Sequence, residues 1–224
     1  MINKKAIKEV SCVQYLGILI DSKLTFKAHI DEVSKKVSRG IGVLYKLRHY
    51  VSTKTLINVY YAIIYPYLLY GIPIWGSTSS YLLNSLHTLQ KKFVRLATFN
   101  DRYPDIPGPL AHTPPLFRRL NVLNIYDIFK FQLGNLVFNS IYGIGPVNSV
   151  INFQQISDVH GYNTRQASQG NIYRGHIRTS RFGLKSLKAA GGILWNSIPL
   201  NIRITTSKPS FKQKLKLKLL NDYH

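Results

Sequence analysis

Between residues 27 and 49 the apolar side chains Ile30, Val33, Val37, Ile41, Leu44 and Leu47 recur at intervals of three and four. An α-helix gathers that spacing onto one face, so the segment must lie with an apolar stripe against a core. The opposite face carries Lys35, Arg39, Gly42, Lys46 and His49. A glycine lets backbone come close to a neighbour. A cationic stripe with a glycine in it therefore suits a nucleic-acid backbone. A plain solvated face is the other reading of the same pattern.

Around this helix the chain reads as mainly α. Residues 13–20 are short, apolar and rich in β-formers and read as one strand, followed by a turn at 21–23. Ser52 or Thr53 can cap a second helix reaching about residue 65, with Pro66 in or just past its end. Residues 71–76 form a bend that places Trp75. Ser79 or Ser80 caps a third helix, whose Leu82, Leu86, Leu89, Phe93 and Leu96 repeat like a coiled-coil seam. Three such helices with short connections pack as an antiparallel bundle.

Residues 100–115 hold five of the ten prolines and read as a linker or extended clasp. Asn124 caps a further helix, with Asp127 at its positive end, a wide apolar face from Ile125 to Ile141, and Gly143 as its stop. Residues 144–182 are irregular and polar. A helix over 184–195 is weakened by Gly191 and Gly192. A last helix starts at 207–209, although the Lys/Leu alternation of 214–219 also permits an edge strand. The expected parts are a β remnant at 1–26, a helical bundle at 27–99, the linker at 100–115 and a basic helical region at 116–224.

Charge narrows the function. The chain has 30 Lys and Arg against 9 Asp and Glu, a net charge of +21. Residues 1–100 hold 14 basic and 4 acidic groups, residues 101–150 hold 4 and 3, and residues 151–224 hold 12 and 2. Two basic regions flank a near-neutral one, which suits two contacts on one long polyanion; nucleic acid fits best and an anionic membrane surface second. Arg165, Arg174, Arg178 and Arg181 are interleaved with Tyr162, Tyr173 and Phe182. Arginines can neutralise phosphates while aromatics stack on unpaired bases, or the segment is an ordinary Arg-rich loop. Lys212, Lys214, Lys216 and Lys218 could meet phosphates, lie on a membrane or act in nuclear import.

Other chemistry is not indicated. Residues 55–90 carry no charged side chain, but five tyrosines from Tyr60 to Tyr70, with Asn58, Pro66, Gly71 and Pro73, break the stretch, so it reads as a buried helix and not a membrane span. Cys12 is the single cysteine, so no internal disulfide or Cys-based zinc site forms, and the N-terminus lacks an apolar signal region. Both features fit a nuclear or cytoplasmic protein. The acids are scattered, with no Asp-Asp pair, and the seven histidines lack ligand spacing, so neither a two-metal site nor any cofactor is expected. Asp21 and Asp127 read as caps or ion-pair partners.

Several motifs resemble a known family. Tyr15-Leu16-Gly17, Asp21, Leu24 and His29-Ile30 are similar to the end of the palm of LINE-type (non-LTR) retrotransposon reverse transcriptases. Ile41-Gly42-Val43-Leu44, Leu47-Arg48, Tyr60-Tyr61, Pro66-Tyr67-Leu68, Tyr70-Gly71, Trp75-Gly76 and Leu89-Gln90-Lys91 with Arg95 resemble its thumb, and Lys91, Lys92 and Arg95 are candidate nucleic-acid contacts. His112-Thr113, Leu116-Phe117, Asp127-Ile128, Tyr162-Asn163-Thr164-Arg165 and Trp195-Asn196 resemble the downstream tail of Jockey-like elements. The resemblance implies an enzyme that copies element RNA into DNA at a nicked target. It also implies that Tyr15, Leu16 and Gly17 support the primer end, and that the thumb follows the template–primer duplex. The family's metal-binding aspartates lie upstream of these motifs. This chain is therefore expected to be a non-catalytic fragment that binds RNA and DNA and takes no small-molecule substrate. The alternatives are a protein-interaction module and a peripheral membrane binder.

Overall fold

A computed structural model describes residues 9–98, 113–144, 153–159, 161–162, 164–175, 179, 183–184 and 186–223. Among them are twelve helices and one two-stranded antiparallel sheet, a mainly α fold with a short β remnant.

Residues 13–20 form a hairpin and not the single strand expected. Strand β1 (Cys12–Tyr15) pairs with β2 (Ile18–Asp21), Tyr15 opposite Ile18. Leu16 (φ 47°) and Gly17 (φ 80°) turn the chain in the left-handed region that tight two-residue hairpins require. Leucine has no intrinsic preference for that region. The Tyr70 hydroxyl holds the turn by donating to the Leu16 carbonyl. Asp21 then fastens the hairpin to the first long helix, α1 (Lys27–Leu47). Its carboxylate accepts from the amides of Lys23, Thr25 and Phe26 and from the Thr25 hydroxyl. Partial burial pushes the Asp21 carboxyl up, but these hydrogen bonds outweigh it and hold it below its ordinary value.

Helix α1 buries Ile30, Val33, Val37 and Leu44, as its spacing predicts. Helix α2 (Thr53–Ile63) is capped by Ser52, whose hydroxyl accepts from the Thr55 amide at 3.3 Å. The expected single helix breaks at Ile64, because Pro66 has no N–H to continue the ladder; it sits instead in the first turn of a new helix, α3 (Tyr65–Leu69). The predicted bend is a short helix, α4 (Ile72–Trp75), with Trp75 fully buried. Helix α5 (Ser80–Ala97) buries Leu83, Leu86, Gln90, Phe93, Val94, Leu96 and Ala97. Leu86, Phe93 and Leu96 of the expected seam are thus in the core, Leu82 and Leu89 are half-buried, and Leu83 and Gln90 are buried in addition. Gln90 is tolerated inside because its amide donates to the Tyr60 hydroxyl (3.0 Å) and the Leu123 carbonyl (3.2 Å).

Most of the predicted linker, residues 100–112, lies outside the described residues. Its last two prolines, Pro114 and Pro115, belong to the first turn of α6 (Thr113–Arg119), where a missing N–H costs nothing. Helix α7 (Ile125–Ile141) is capped as expected: the Asn124 side chain accepts from the Asp127 amide, and Asp127 pairs with Lys130 at 2.9 Å. Two one-turn helices, α8 (Ile156–Val159) and α9 (Arg165–Ser168), follow, with a bridge between Gln155 and Ile172. In α10 (Leu187–Ser197) the glycine pair is a packing device and not a weak point. A Cβ on Gly191 would meet the Phe153 ring at 2.7 Å and Val137 at 3.0 Å. After α11 (Leu200–Arg203), the Lys/Leu alternation forms helix α12 (Lys208–Asn221), with Phe211, Leu215 and Leu219 buried against α7 and its neighbours. Tyr223 closes the fold: its hydroxyl accepts from the Asn124 amide at 3.0 Å, and its ring meets Phe117 edge-on. The buried residues form one continuous core from Ile18 to Tyr223.

Candidate nucleic-acid interface

Helices α1 and α5 lie side by side and run the same way. At their starts the Thr78 hydroxyl donates to the Thr25 carbonyl (2.8 Å). Further along, the Ser34 and Ser85 hydroxyls meet at 3.3 Å, and beyond their ends Thr53 donates to the Ala97 carbonyl (3.1 Å). Between them runs a groove of about 1040 Å³ whose walls include Lys27, Asp31, Lys35, Arg39, Tyr81 and Ser85. Lys35, Arg39, Gly42 and Lys46 are all exposed on the outward face of α1, and His49 is exposed in the turn just past its end. Lys92 and Arg95 are exposed on α5, and the Ser34–Ser85 register brings Lys92 level with Ile41. Lys91 is half-buried on the far flank.

The stripe keeps its charge. Lys36, on the flank of α1, pairs with Glu32 at 3.6 Å and lies over the Tyr67 ring. Lys35, Arg39 and Lys46 have no ion pair among the described residues. Beyond the end of α1, Arg48 donates its Nε–H to His49 Nε2 at 3.0 Å while lying 4.1 Å from the Tyr45 ring. Two histidines are held below their ordinary value by burial. His29 is lowered by desolvation and then by Lys36; His87, between Phe117 and Tyr126, is lowered by desolvation and then by Lys91, to about 4.

Two glycines of α1 lie two residues apart and do different work. A Cβ on Gly42 would meet nothing within 4 Å, whereas one on Gly40 would meet Ile64 Cγ1 at 2.7 Å. Gly40 is therefore the close-packing glycine at the crossing with the α2–α3 junction, and Gly42 leaves an open notch in the charged face.

The remaining predicted residues lie apart from this face. Tyr15 and Leu16 are 64% and 71% exposed at the hairpin turn with Gly17. The turn overhangs a second cavity of about 500 Å³, lined by Gln14, His29, Glu32, Tyr67 and Tyr70. Arg165 and Arg174 are exposed in the C-terminal region, near the exposed Tyr162; Arg178 and Arg181 lie outside the described residues. Lys27 and Tyr81 are groove residues that sequence reasoning missed, because only the pairing of α1 with α5 brings them to one wall. Among the described residues no three of His, Cys, Asp and Glu gather so as to hold a metal ion, and no helix is long and apolar enough to cross a membrane.

No family model matches the chain, and no solved structure matches it. Curated relatives do. The "RNA-directed DNA polymerase from mobile element jockey" of Drosophila melanogaster is 34% identical over 98 residues, which is 42% of this chain and 11% of the relative. The "Probable RNA-directed DNA polymerase from transposon X-element" of the same fly is 27% identical over 100 residues, 43% of this chain and 11% of the relative. The "Probable RNA-directed DNA polymerase from transposon BS" is 33% identical over 95 residues, 41% of this chain and 10% of the relative. The matched span thus takes in about a tenth of the length of these relatives. Across some two fifths of its length, this chain is similar to RNA-directed DNA polymerases of Jockey-type non-LTR retrotransposons.

Proposed function

We propose that this chain is a nucleic-acid-gripping part of a retrotransposon RNA-directed DNA polymerase. It holds the template–primer duplex along the outward face of α1 and adds no nucleotide by itself. The observation that carries this reading is the stripe of Lys35, Arg39 and Lys46, exposed in line on one helix and without counter-ions among the described residues. Cations so arranged neutralise successive phosphates and release counter-ions. Lys92 and Arg95 extend the contact on α5. Tyr15, Leu16 and Gly17 support the primer end, and Arg165, Arg174, Arg178 and Arg181 make a second contact with the same strand. The relatives' names support a nucleic-acid role. A membrane role has less support, because Phe211, Leu215, Leu219 and Leu220 of α12 are spent on the core and little apolar surface remains to enter a bilayer.

The test is a primed RNA–DNA duplex, titrated by fluorescence anisotropy at several salt concentrations and then incubated with nucleotides and Mg²⁺. Tight, steeply salt-dependent binding without primer extension is expected. Extension by a clean preparation, or binding that ignores salt, would sink the proposal.

The two glycines of α1 separate fold from grip. Gly40→Leu is expected to cost about 1–3 kcal/mol of stability through overpacking against Ile64. Gly42→Leu is expected to leave the thermal midpoint unchanged or slightly higher, since leucine is the better helix former by somewhat under ~1 kcal/mol. It should nevertheless weaken duplex binding by filling the notch, with little change in salt slope. Unchanged affinity in Gly42→Leu would show that the backbone of α1 does not approach the duplex.

A further inference from the structure

We infer that the N-terminal mouth of the α1–α5 groove is a subsite for an unpaired nucleotide, with Tyr81 as its stacking platform. The inference rests on the nucleic-acid reading above and deepens it, because it names a single strand leaving the duplex as the ligand. Tyr81 lies in the first turn of α5 and is 85% exposed. Among the described residues its ring meets no other ring and its hydroxyl has no partner. An exposed tyrosine alone says little; the company it keeps is what matters. Lys27, Lys35 and Arg39 line the same groove against one carboxylate, Asp31, while Asn84 and Ser85 offer neutral hydrogen-bonding groups.

An aromatic face beside cations is the arrangement that binds single strands: bases stack and phosphates are neutralised, with little regard to sequence. A base paired inside a duplex hides both faces in its stack, so away from a duplex end only an unpaired one can lie on Tyr81. The groove, about 1040 Å³, is of the size that encloses a small ligand. It has room for a nucleotide or two. Lys27 stands 19 residues before Lys46 on the same helix, about 28 Å at 1.5 Å per residue. Lys46 thus lies far along the axis from the Tyr81 mouth, while Lys35 and Arg39, on the groove wall, stand where the two sites meet, as a duplex-to-single-strand junction needs.

The test compares a blunt RNA–DNA duplex, the same duplex with a four-nucleotide template overhang carrying 2-aminopurine, and a free single strand, each titrated against the full chain. The overhang is expected to raise affinity roughly tenfold and to quench the 2-aminopurine. Tyr81→Ala should abolish both effects with blunt-duplex affinity and thermal midpoint unchanged. Tyr81→Phe should keep both, since the ring and not the hydroxyl does the stacking. An overhang without gain, or a gain that survives Tyr81→Ala, would overturn the subsite while leaving duplex binding in place. Tyr81-dependent binding of the single strand without blunt-duplex binding would instead support the subsite and overturn the duplex reading. Binding of none of the three would overturn both.

Discussion

Trp75→Ala is expected to remove about 3–5 kcal/mol of stability, the usual cost of emptying a large aromatic site in a core. Trp75 is fully buried, its indole N–H donates to the Tyr70 carbonyl at 2.9 Å, and the His29 ring stands against it at 5.5 Å. The loss would reach beyond the cavity. Tyr70 also holds the Leu16 carbonyl at the hairpin turn, and His29 accepts weakly from the Leu19 amide at 3.5 Å. Without Trp75 both supports of the hairpin lose their backing. Urea denaturation followed by Trp195 fluorescence should show a lower midpoint with little change in slope, and the amide of Leu19 should exchange faster with solvent. A loss below about 1 kcal/mol would mean that the site collapses and that Trp75 is not the keystone of this end of the bundle.

The largest change in affinity is expected from Lys35, Arg39 and Lys46 replaced together by alanine. If each neutralises one phosphate, the slope of log K against log salt falls by about 2.7, which is roughly 500-fold in affinity at 0.1 M salt relative to 1 M. Lys54, Lys188 and Lys212 are equally exposed but lie on three separate helices. Their triple replacement removes the same net charge, and its effect should stay within about threefold, because dispersed charges act only through a screened general field. Equal losses from the two triple variants would mean that total charge governs binding and that the α1 stripe has no special part in it.

What the sequence disclosed was periodic and local. The buried set of α1 followed from spacing alone, and the Asn124 cap from residue type and position. The choice between helix and strand at 214–219 was not local: it depended on Phe211, Leu215 and Leu219 meeting α7, a contact no short window contains. The hairpin was hidden for a related reason. Its turn, Leu16-Gly17, lacks the Asn-Gly or Asp-Gly signal, and its apolar run is unbroken, so it read as one strand. Of the α5 seam, Leu86, Phe93 and Leu96 were legible, but Gln90, a polar side chain in a core position, was not. Its partners, Tyr60 and the Leu123 carbonyl, lie some 30 residues away on either side. Of the site, the charged face was legible because solvated cations obey helical periodicity too. The groove was not, because it exists only where α1 lies beside α5. Spacing put Gly42 on the charged face, but it did not single out Gly40 as the packing glycine.

The bond between Tyr223 and the Asn124 amide sets an order of assembly. Helix α7 leaves the ribosome well before residue 223 is made, so in the growing chain its cap residue must bond to water. The Tyr223 phenol reaches that amide only after α12 has been synthesised and folded back, and burial holds its hydroxyl well above the ordinary phenol pKa, so that it stays protonated. The carboxyl-terminal half therefore completes itself from its far end, with Tyr223 acting as a latch. A nascent chain stalled short of that tyrosine would present an α7 that is helical but neither covered by α12 nor fastened.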